Sequence, residues 1–394
     1  IIYRNPSTQT HNISVDGGSE KVRYFAGASY VKQEGFMEPL TYDKYNFRLN
    51  VTADITKDLK VETGLALNNN KQGLLAEDYD DVNNDLYGKL RIWQPDQPVY
   101  TDNGQFIDYG WIGNVGAKAV GAGGYRKHEY LKPQLNVSAT YKVPFIEGLS
   151  ARVAFSKMWY HEAQKKFYKS YDMQVMKRTG PNNRIMSTND NDIIGVKKST
   201  WGLPNGKDMI ERVSNWSDNM QLNFQLTYDK VFNNVHHVSG TFVTEWYEAT
   251  GSGVTGGRET FPLYLTDQFW AASDARADTW GNGATDWQDG RMSYIGQFSY
   301  DYASKYMFTF SFREDGSMKF APEQRWGFFP AASAGWVISE EDWFNKSKIN
   351  RLKVRASAGL TGDDSVGGWQ WMESYTGGKN AYFGYSPAQS VGLT

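Results

Sequence analysis

With 394 residues, 42 Lys and Arg against 44 Asp and Glu, and a net charge of −2 at pH 7, the chain has no basic footprint for nucleic acid. It has no cysteine, which excludes disulfides, thiolate metal sites and cysteine catalysis. A mean hydropathy of −0.61 with 22 % charged residues looks like a soluble protein, and no apolar run approaches the length of a membrane-spanning helix. A membrane barrel escapes both tests, because its strands need an apolar residue only at every second position.

Alternation of apolar and polar residues predicts about a dozen strands. In chain order they fall at His11 to Asp16, Lys21 to Gln33, Lys44 to Ile55, Leu59 to Asn70, Glu129 to Tyr141 and Leu149 to Tyr160. The rhythm continues at Ser217 to Asp229, Val235 to Tyr247, Gly290 to Asp301, Lys305 to Arg313, Gly327 to Ile338 and Arg351 to Leu360. The third strand shows the pattern: Tyr45, Phe47, Leu49, Val51, Ala53 and Ile55 on one parity, Asn46, Arg48, Asn50, Thr52 and Asp54 on the other. So even a rhythm over residues 1–394 predicts one large all-β sheet rather than several domains.

The connections alternate too. Tight ones occur at Gly17 to Glu20, Thr56 to Asp58, Lys142 to Gly148, Lys230 to Asn234 and Tyr302 to Ser304. The others are long and rich in Gly, Asn, Asp and Trp, the largest at 71–128, 161–216, 248–289 and 361–394. Structureless loops of that length count against a compact soluble domain. Two readings follow from a sheet with one greasy and one wet face: a sandwich with its wet face solvated, or an antiparallel transmembrane β-barrel with its apolar parity toward lipid. Short periplasmic turns and large extracellular loops favour the barrel. Aromatic content of 15 % agrees, with Tyr141, Tyr228, Tyr302 and Tyr306 beside short turns and Tyr30, Tyr45, Trp159 and Trp246 near long loops.

In that frame Arg48, Asn50, Thr52, Gln221, Asn223, Gln225, Lys353, Arg355 and Ser357 are expected to face the lumen. Leu49, Val51, Leu222, Phe224, Phe308, Phe310, Val354 and Ala356 are expected to face lipid. The segment from Phe312 to Pro330 reads as a loop of alternating charge. Its Arg313 and Arg325 are candidates for a rim or plug contact, or for ion pairs within the loop itself.

Other motifs carry less. Gly251 to Gly256 matches a dinucleotide-binding glycine pattern, but no helix follows and it reads as loop glycine. Sequons at Asn12, Asn50 and Asn136 are what period-two alternation produces on a polar strand face; two more stand at Asn215 and Asn345. Asp81, Asn83 and Asp85 are spaced like calcium ligands, but Leu86 and Ile92 stand where such a loop needs Gly and Glu, so no cofactor beyond a possible structural calcium is indicated. His236 and His237 point to opposite faces, and Asp363 and Asp364 lack a partner constellation for acid and base work, so no enzyme site is apparent.

The stretch FREDGSMKFAPEQRWGFFPAASAGWVISEEDWF followed by INRLKVRASAGLTGDD resembles the SusC/RagA family of TonB-dependent outer-membrane transporters. So do THNISVDGGSEKVRYFAGASYVKQEG and YDKYNFRLNVTADITKDLKVETGLALN near the start. The resemblance implies a barrel of twenty-two strands, an internal plug, a TonB-contacting segment that engages TonB, ExbB and ExbD, and a SusD-like surface lipoprotein as lid. Against that pattern the chain reads as a piece of the barrel without the plug and the last strands, with unpaired edges where it is cut. The implied function is active nutrient import across the bacterial outer membrane, an oligosaccharide first, with peptides or a non-transport adhesion barrel as alternatives. Trp93, Trp111, Trp201, Trp280, Trp287, Trp369, Trp371 and Phe383 are expected in the loops among amides and carboxylates, as platforms for sugar rings or as small clusters that hold the loops together. Trp369 and Trp371, at alternate positions after Gly367 and Gly368, are expected to present both rings to one side.

Overall fold

The computed structural model describes residues 4–76, 86–200, 203–262, 266–282, 286–345, 348–373, 375–383 and 386–393. The first six long strands are β1 (Ser7–Gly18), β2 (Val22–Glu34), β3 (Thr41–Asp54), β4 (Leu59–Leu75), β5 (Gly124–Lys142) and β6 (Leu149–Tyr168). Four short strands follow in a loop: β7 (Tyr171–Met176), β8 (Arg178–Thr179), β9 (Ile185–Met186) and β10 (Ile193–Ser199). The chain then resumes with β11 (Met209–Phe232), β12 (His236–Glu259), β13 (Thr279–Asn282), β14 (Trp287–Tyr302), β15 (Tyr306–Ser317), β16 (Trp326–Val337), β17 (Lys353–Gly359), β18 (Tyr375–Phe383) and β19 (Ser386–Leu393). Two short helices, α1 (Leu86–Ile92) and α2 (Val115–Ala119), lie in the loop between β4 and β5.

Every long strand from β1 to β17 pairs antiparallel with the next long strand, giving one meandering sheet to which β13 adds beside β12. Among the described residues, β1 and β17 each pair on one side only. Connections of three to six residues make the tight joins, and two of them turn on a left-handed pair. Asn233 and Asn234 take φ of 50° and 59°, and Ala303 and Ser304 take 52° and 57°, the left-handed pair that matches strand twist in a hairpin.

Registers keep parity across the whole sheet. Leu49 pairs with Leu65, Leu222 with Phe155 and Trp246, and Phe310 with Phe298 and Ala332, so the apolar residues share one face. That face is open: Phe47, Leu65, Leu222, Phe224, Phe242, Phe298, Phe308 and Phe310 are all exposed. Rings bound it at both ends. Tyr302, Tyr306 and Trp336 stack with centroids 6.2 and 6.4 Å apart beside the short turns. Tyr45, Trp159, Trp216 and Trp246 stand exposed toward the long loops, and outward charges begin among them: Asp218, opposite Trp159, pairs with Lys157, and Trp246 Nε1 donates to Glu248 at 2.9 Å.

At the turn ends the strands end within a few residues of their sequence-based limits, but at the loop ends they run on. β12 continues from Tyr247 to Glu259, so Gly251 to Gly256 is strand rather than loop. The reason is local: glycines give no parity to read, yet their backbones pair with β11 throughout. Two of them also make room for rings. A Cβ on Gly251 would stand 2.4 Å from Trp287, and one on Gly257 would stand 2.6 Å from Trp280. Likewise the expected loop from Phe312 to Pro330 is mostly strand, since β15 reaches Ser317 and β16 starts at Trp326.

Apart from Ile210 of β11 and Ser293 of β14, the largest fully buried side chains lie in the loops and their short strands. Met37, Leu75, Leu86, Val115 and Ala119 form one core; Ile107, Tyr109 and Met176 form another; Ala117, Tyr171 and Met173 form a third. The two longest loops therefore fold on each other. Asp108 N donates to Gln174 O at 2.9 Å and Gln174 N to Phe106 O at 2.7 Å. Asn114, fully buried, caps α2 by accepting from Ala117 N and donates to Val99 O and Ile107 O, at 2.8 to 2.9 Å.

Candidate functional site: the polar face and its rim

The face opposite the apolar one is built from the other parity of the same strands. One row crosses Thr52, Glu62, Ser138, Ala154, Asn223, Glu245, Ser293 and Asp315 on eight successive neighbours. Amides and carboxylates tie adjacent strands along it. Gln221 Nε2 donates to Glu245 Oε2 at 2.7 Å and Ser156 Oγ to Asn136 Oδ1 at 2.8 Å, while within β4 Lys60 pairs with Glu62 at 2.7 Å. A depression of about 540 Å³ opens on this face, lined among others by Arg48, Asn50, Glu62, Asn136, Arg152, Gln221 and Asn223. Gln225 lies on the same parity and donates to Thr227 at 3.0 Å, and Arg355 lies opposite Gly335 on the β17 edge.

Nearer the loops, the face holds a denser knot that sequence reading passes over. Glu162 accepts from Gln164 at 2.6 Å, Asn215 at 3.1 Å and Tyr160 at 3.2 Å, and His128 stands 2.8 Å away. Lys132 sits over the Tyr130 and Tyr160 rings at 5.1 and 5.0 Å. The available signal was the run of His128, Tyr130 and Lys132 against Tyr160 and Glu162, whose parity matches Asn136 and Ser156.

The rim residues divide. Arg313 is inside β15 and grips Asp315 of its own strand with Nε and a terminal nitrogen at 3.1 and 3.0 Å. Arg325 ends the short connection, donating to Phe320 O at 3.3 Å, and lines a recess of about 320 Å³ with Arg291, Asp315, Asp363 and Asp364. Lys319 Nζ reaches Asp364 O at 3.1 Å, which ties the loop after β17 to the same recess.

Of the tryptophans expected in loops, Trp280 and Trp287 are strand residues packed over glycines, with Trp280 also against Tyr168 and Met209. Trp93 meets Tyr109 edge-on at 4.7 Å and supports two of the loop cores. Trp111 is exposed, with the Lys89 ammonium 4.7 Å over its ring. Trp369 and Trp371 do stand side by side, centroids 6.2 Å apart and both exposed, but on a turn in which Trp369 takes a φ of 66°, not on a strand end. Trp201, the Phe383 side chain and Asp81 to Asp85 lie outside the described residues.

No family model matches the chain. Among curated proteins it is 26 % identical over 387 residues to TonB-dependent receptor P39 of Formosa agariphila, covering 96 % of this chain and 33 % of that protein. It is 39 % identical over 77 residues to TonB-dependent receptor SusC of Bacteroides thetaiotaomicron, covering 19 % of this chain and 8 % of that protein. Over most of its length the chain is similar to TonB-dependent receptors, and over 77 residues to SusC. Its fold agrees: the RagAB peptide importer in its closed-closed state superposes with a TM-score of 0.70 at 17 % identity, over 99 % of this chain and 40 % of that one. The chain spans about a third of the length of the curated relatives matched along most of it. As in those outer-membrane receptors, the sheet is part of an antiparallel barrel wall.

Proposed function

We propose that this wall and its loops serve TonB-dependent import of an oligosaccharide. In this reading a SusD-like lipoprotein closes the extracellular mouth, and TonB with ExbB and ExbD supplies the energy from the periplasmic side. The observation that carries the import reading is the polar face. Amide, carboxylate, hydroxyl and guanidinium groups line the face opposite the apolar one across the strands, which is what a hydrated path for a hydrogen-bonding solute requires.

The oligosaccharide reading rests on the Trp369 and Trp371 pair, two exposed rings side by side on the loop that earlier carries Asp363 and Asp364. Flat apolar rings beside carboxylates suit the faces and hydroxyls of a sugar. A peptide would find partners on the same polar face, and RagAB is described as a peptide importer. At 17 % identity that likeness supports the fold alone, so the choice rests on the ring pair.

The test is binding of the intact receptor complex to a panel of polysaccharides and a panel of peptides, repeated with Trp369→Ala and Trp371→Ala. An affine polysaccharide whose binding weakens about tenfold in the double variant is expected. Peptide binding alone, or sugar binding indifferent to both substitutions at normal surface abundance, overturns it.

A further inference from the structure

The outer face of the wall carries a feature that neither transport nor lipid contact explains. Lys127 of β5 lies directly opposite Lys165 of β6, and Lys165 directly opposite Arg212 of β11. Their parity is that of Leu135, Phe155 and Leu222, so all three project outward. Like charges directly across neighbouring strands destabilise a sheet. Asp267 pairs with this row, 2.5 Å from Lys165 Nζ; of the other carboxylates on the same depression, Glu129 is paired with Lys71 and Asp43 accepts from the Tyr30 hydroxyl. Lys127 and Arg212 are exposed, and the nearby Lys71 is paired with Glu129 at 3.2 Å.

The row stands above the membrane belt. Arg212 is four residues from the exposed Trp216 on the loop side of β11, which at 3.3 Å per residue is about 13 Å along the strand. With a barrel tilt near 40° that is about 10 Å of height above the ring. A headgroup layer adds about 5–8 Å to each side of the hydrocarbon, so the cations stand at the level of a larger, sugar-bearing headgroup. The ground between is open. A depression of about 310 Å³ is lined by Asp43, Lys71, Lys127, Glu129, Lys165 and Arg212. A loop roofs it from above, where Phe167, Ile210, Phe261 and Ala272 pack together with Phe269, leaving Trp270 76 % exposed on the turn beside it.

We infer that the cross-strand row Lys127, Lys165 and Arg212 binds phosphate groups on the sugar headgroup of an outer-leaflet glycolipid. Phosphates would offset three aligned cations of which Lys165 is the one paired with a carboxylate among the described residues, and the occupant is fixed by geometry: the row faces outward, at headgroup height, away from the lumen path. Binding there would anchor the wall at a set depth and fix the roof loop, whose Asp267 reaches down to Lys165 and to the Tyr125 hydroxyl.

The experiment uses the intact receptor extracted from outer membranes in mild detergent, with retained glycolipid counted by native mass spectrometry. The delipidated receptor is then titrated with purified lipopolysaccharide and with the same material after dephosphorylation. Each charge near a membrane surface is worth about fivefold in affinity, so Lys127→Gln with Arg212→Gln should weaken lipopolysaccharide binding about thirtyfold. The charge-keeping pair Lys127→Arg with Arg212→Lys should bind as the parent does, which separates loss of charge from misassembly. Equal retention by parent and Gln variant, equal binding of phosphorylated and dephosphorylated material, or loss of a protein partner with unchanged glycolipid overturns the inference.

Discussion

The wall and the loop canopy solve opposite problems. In the wall each strand turns its apolar residues to one face, so Leu222, Phe242 and Phe310 remain exposed in the isolated chain, a face that the proposed import barrel would turn to lipid. In the canopy, segments far apart in sequence bury one another, and Met37, Ile107, Val115 and Ala117 are fully enclosed. The wall is held by backbone ladders and by the membrane; the canopy is held by a small core and a few buried polar contacts such as those of Asn114. Substitutions should therefore have different signatures in the two regions: local unfolding above, failure of insertion below.

The largest effect is expected in the canopy. Ile107→Asp places a charge where nothing pairs with it, and should cost about 4 kcal/mol or more locally. Limited proteolysis should then cut the loops between β4 and β5 and between β6 and β11 while heat-modifiability of the barrel stays normal. Next comes the wall. Phe310→Arg should cost about 2–4 kcal/mol if it meets the bilayer near its midplane, whereas Ser311→Arg, on the polar face, should be nearly silent in barrel assembly. Equal defects for the two would break the comparison at its root.

The wall was legible and the canopy was not, for the same reason. Period-two alternation is a local signal, so Tyr45 to Ile55 or Leu59 to Leu67 declares its faces without help from the rest of the chain. Ile107 meeting Met176, or Asp108 meeting Gln174, depends on contacts that no local pattern records. The strand tops show the boundary between the two. Past Tyr247 the run of glycines erased the alternation, so the end of β12 and the rings of Trp280 and Trp287 were assigned to a loop. Trp369 and Trp371 were paired correctly for the wrong reason, since a turn with a positive φ brings their rings together rather than strand parity. The Glu162 knot was missed because its members lie on different strands and meet only once the register is set.

Smaller effects sharpen the comparison at the rim. Arg313 and Asp315 form a two-pronged but partly exposed pair within one strand, so Arg313→Ala should change assembly by only about 0–1 kcal/mol. An import defect at normal surface abundance would then mark Arg313 as a contact to another part of the receptor. Smaller still is the contact of Lys207 with Asp278 at 2.9 Å and Glu259 at 3.1 Å, which ties the tops of β11 and β12 to the next loop. Hydrogen bonds from Lys207, then Ser273, hold the Asp278 carboxyl below its ordinary 3.8. The same bonds, to Asp278 first and Glu259 second, hold the Lys207 ammonium above its ordinary 10.5. A lowered carboxyl contributes stability above its ordinary value and loses it as pH falls through the folded one; a raised ammonium contributes below its ordinary value and loses it as pH rises. Protection of this loop against hydrogen exchange, relative to the intrinsic rate at each pH, should accordingly be flat between those limits and fall below about pH 4.

The absence of cysteine from this stretch allows the direct test of which face meets lipid. Single cysteines at Leu222, Phe310, Asn223 and Ser311 in the assembled receptor should divide strictly by parity. A charged, membrane-impermeant thiol reagent is predicted to label Asn223→Cys and Ser311→Cys, and a lipid-dissolved reagent to label Leu222→Cys and Phe310→Cys. The reverse pattern, or labelling of all four by the charged reagent, would contradict the account.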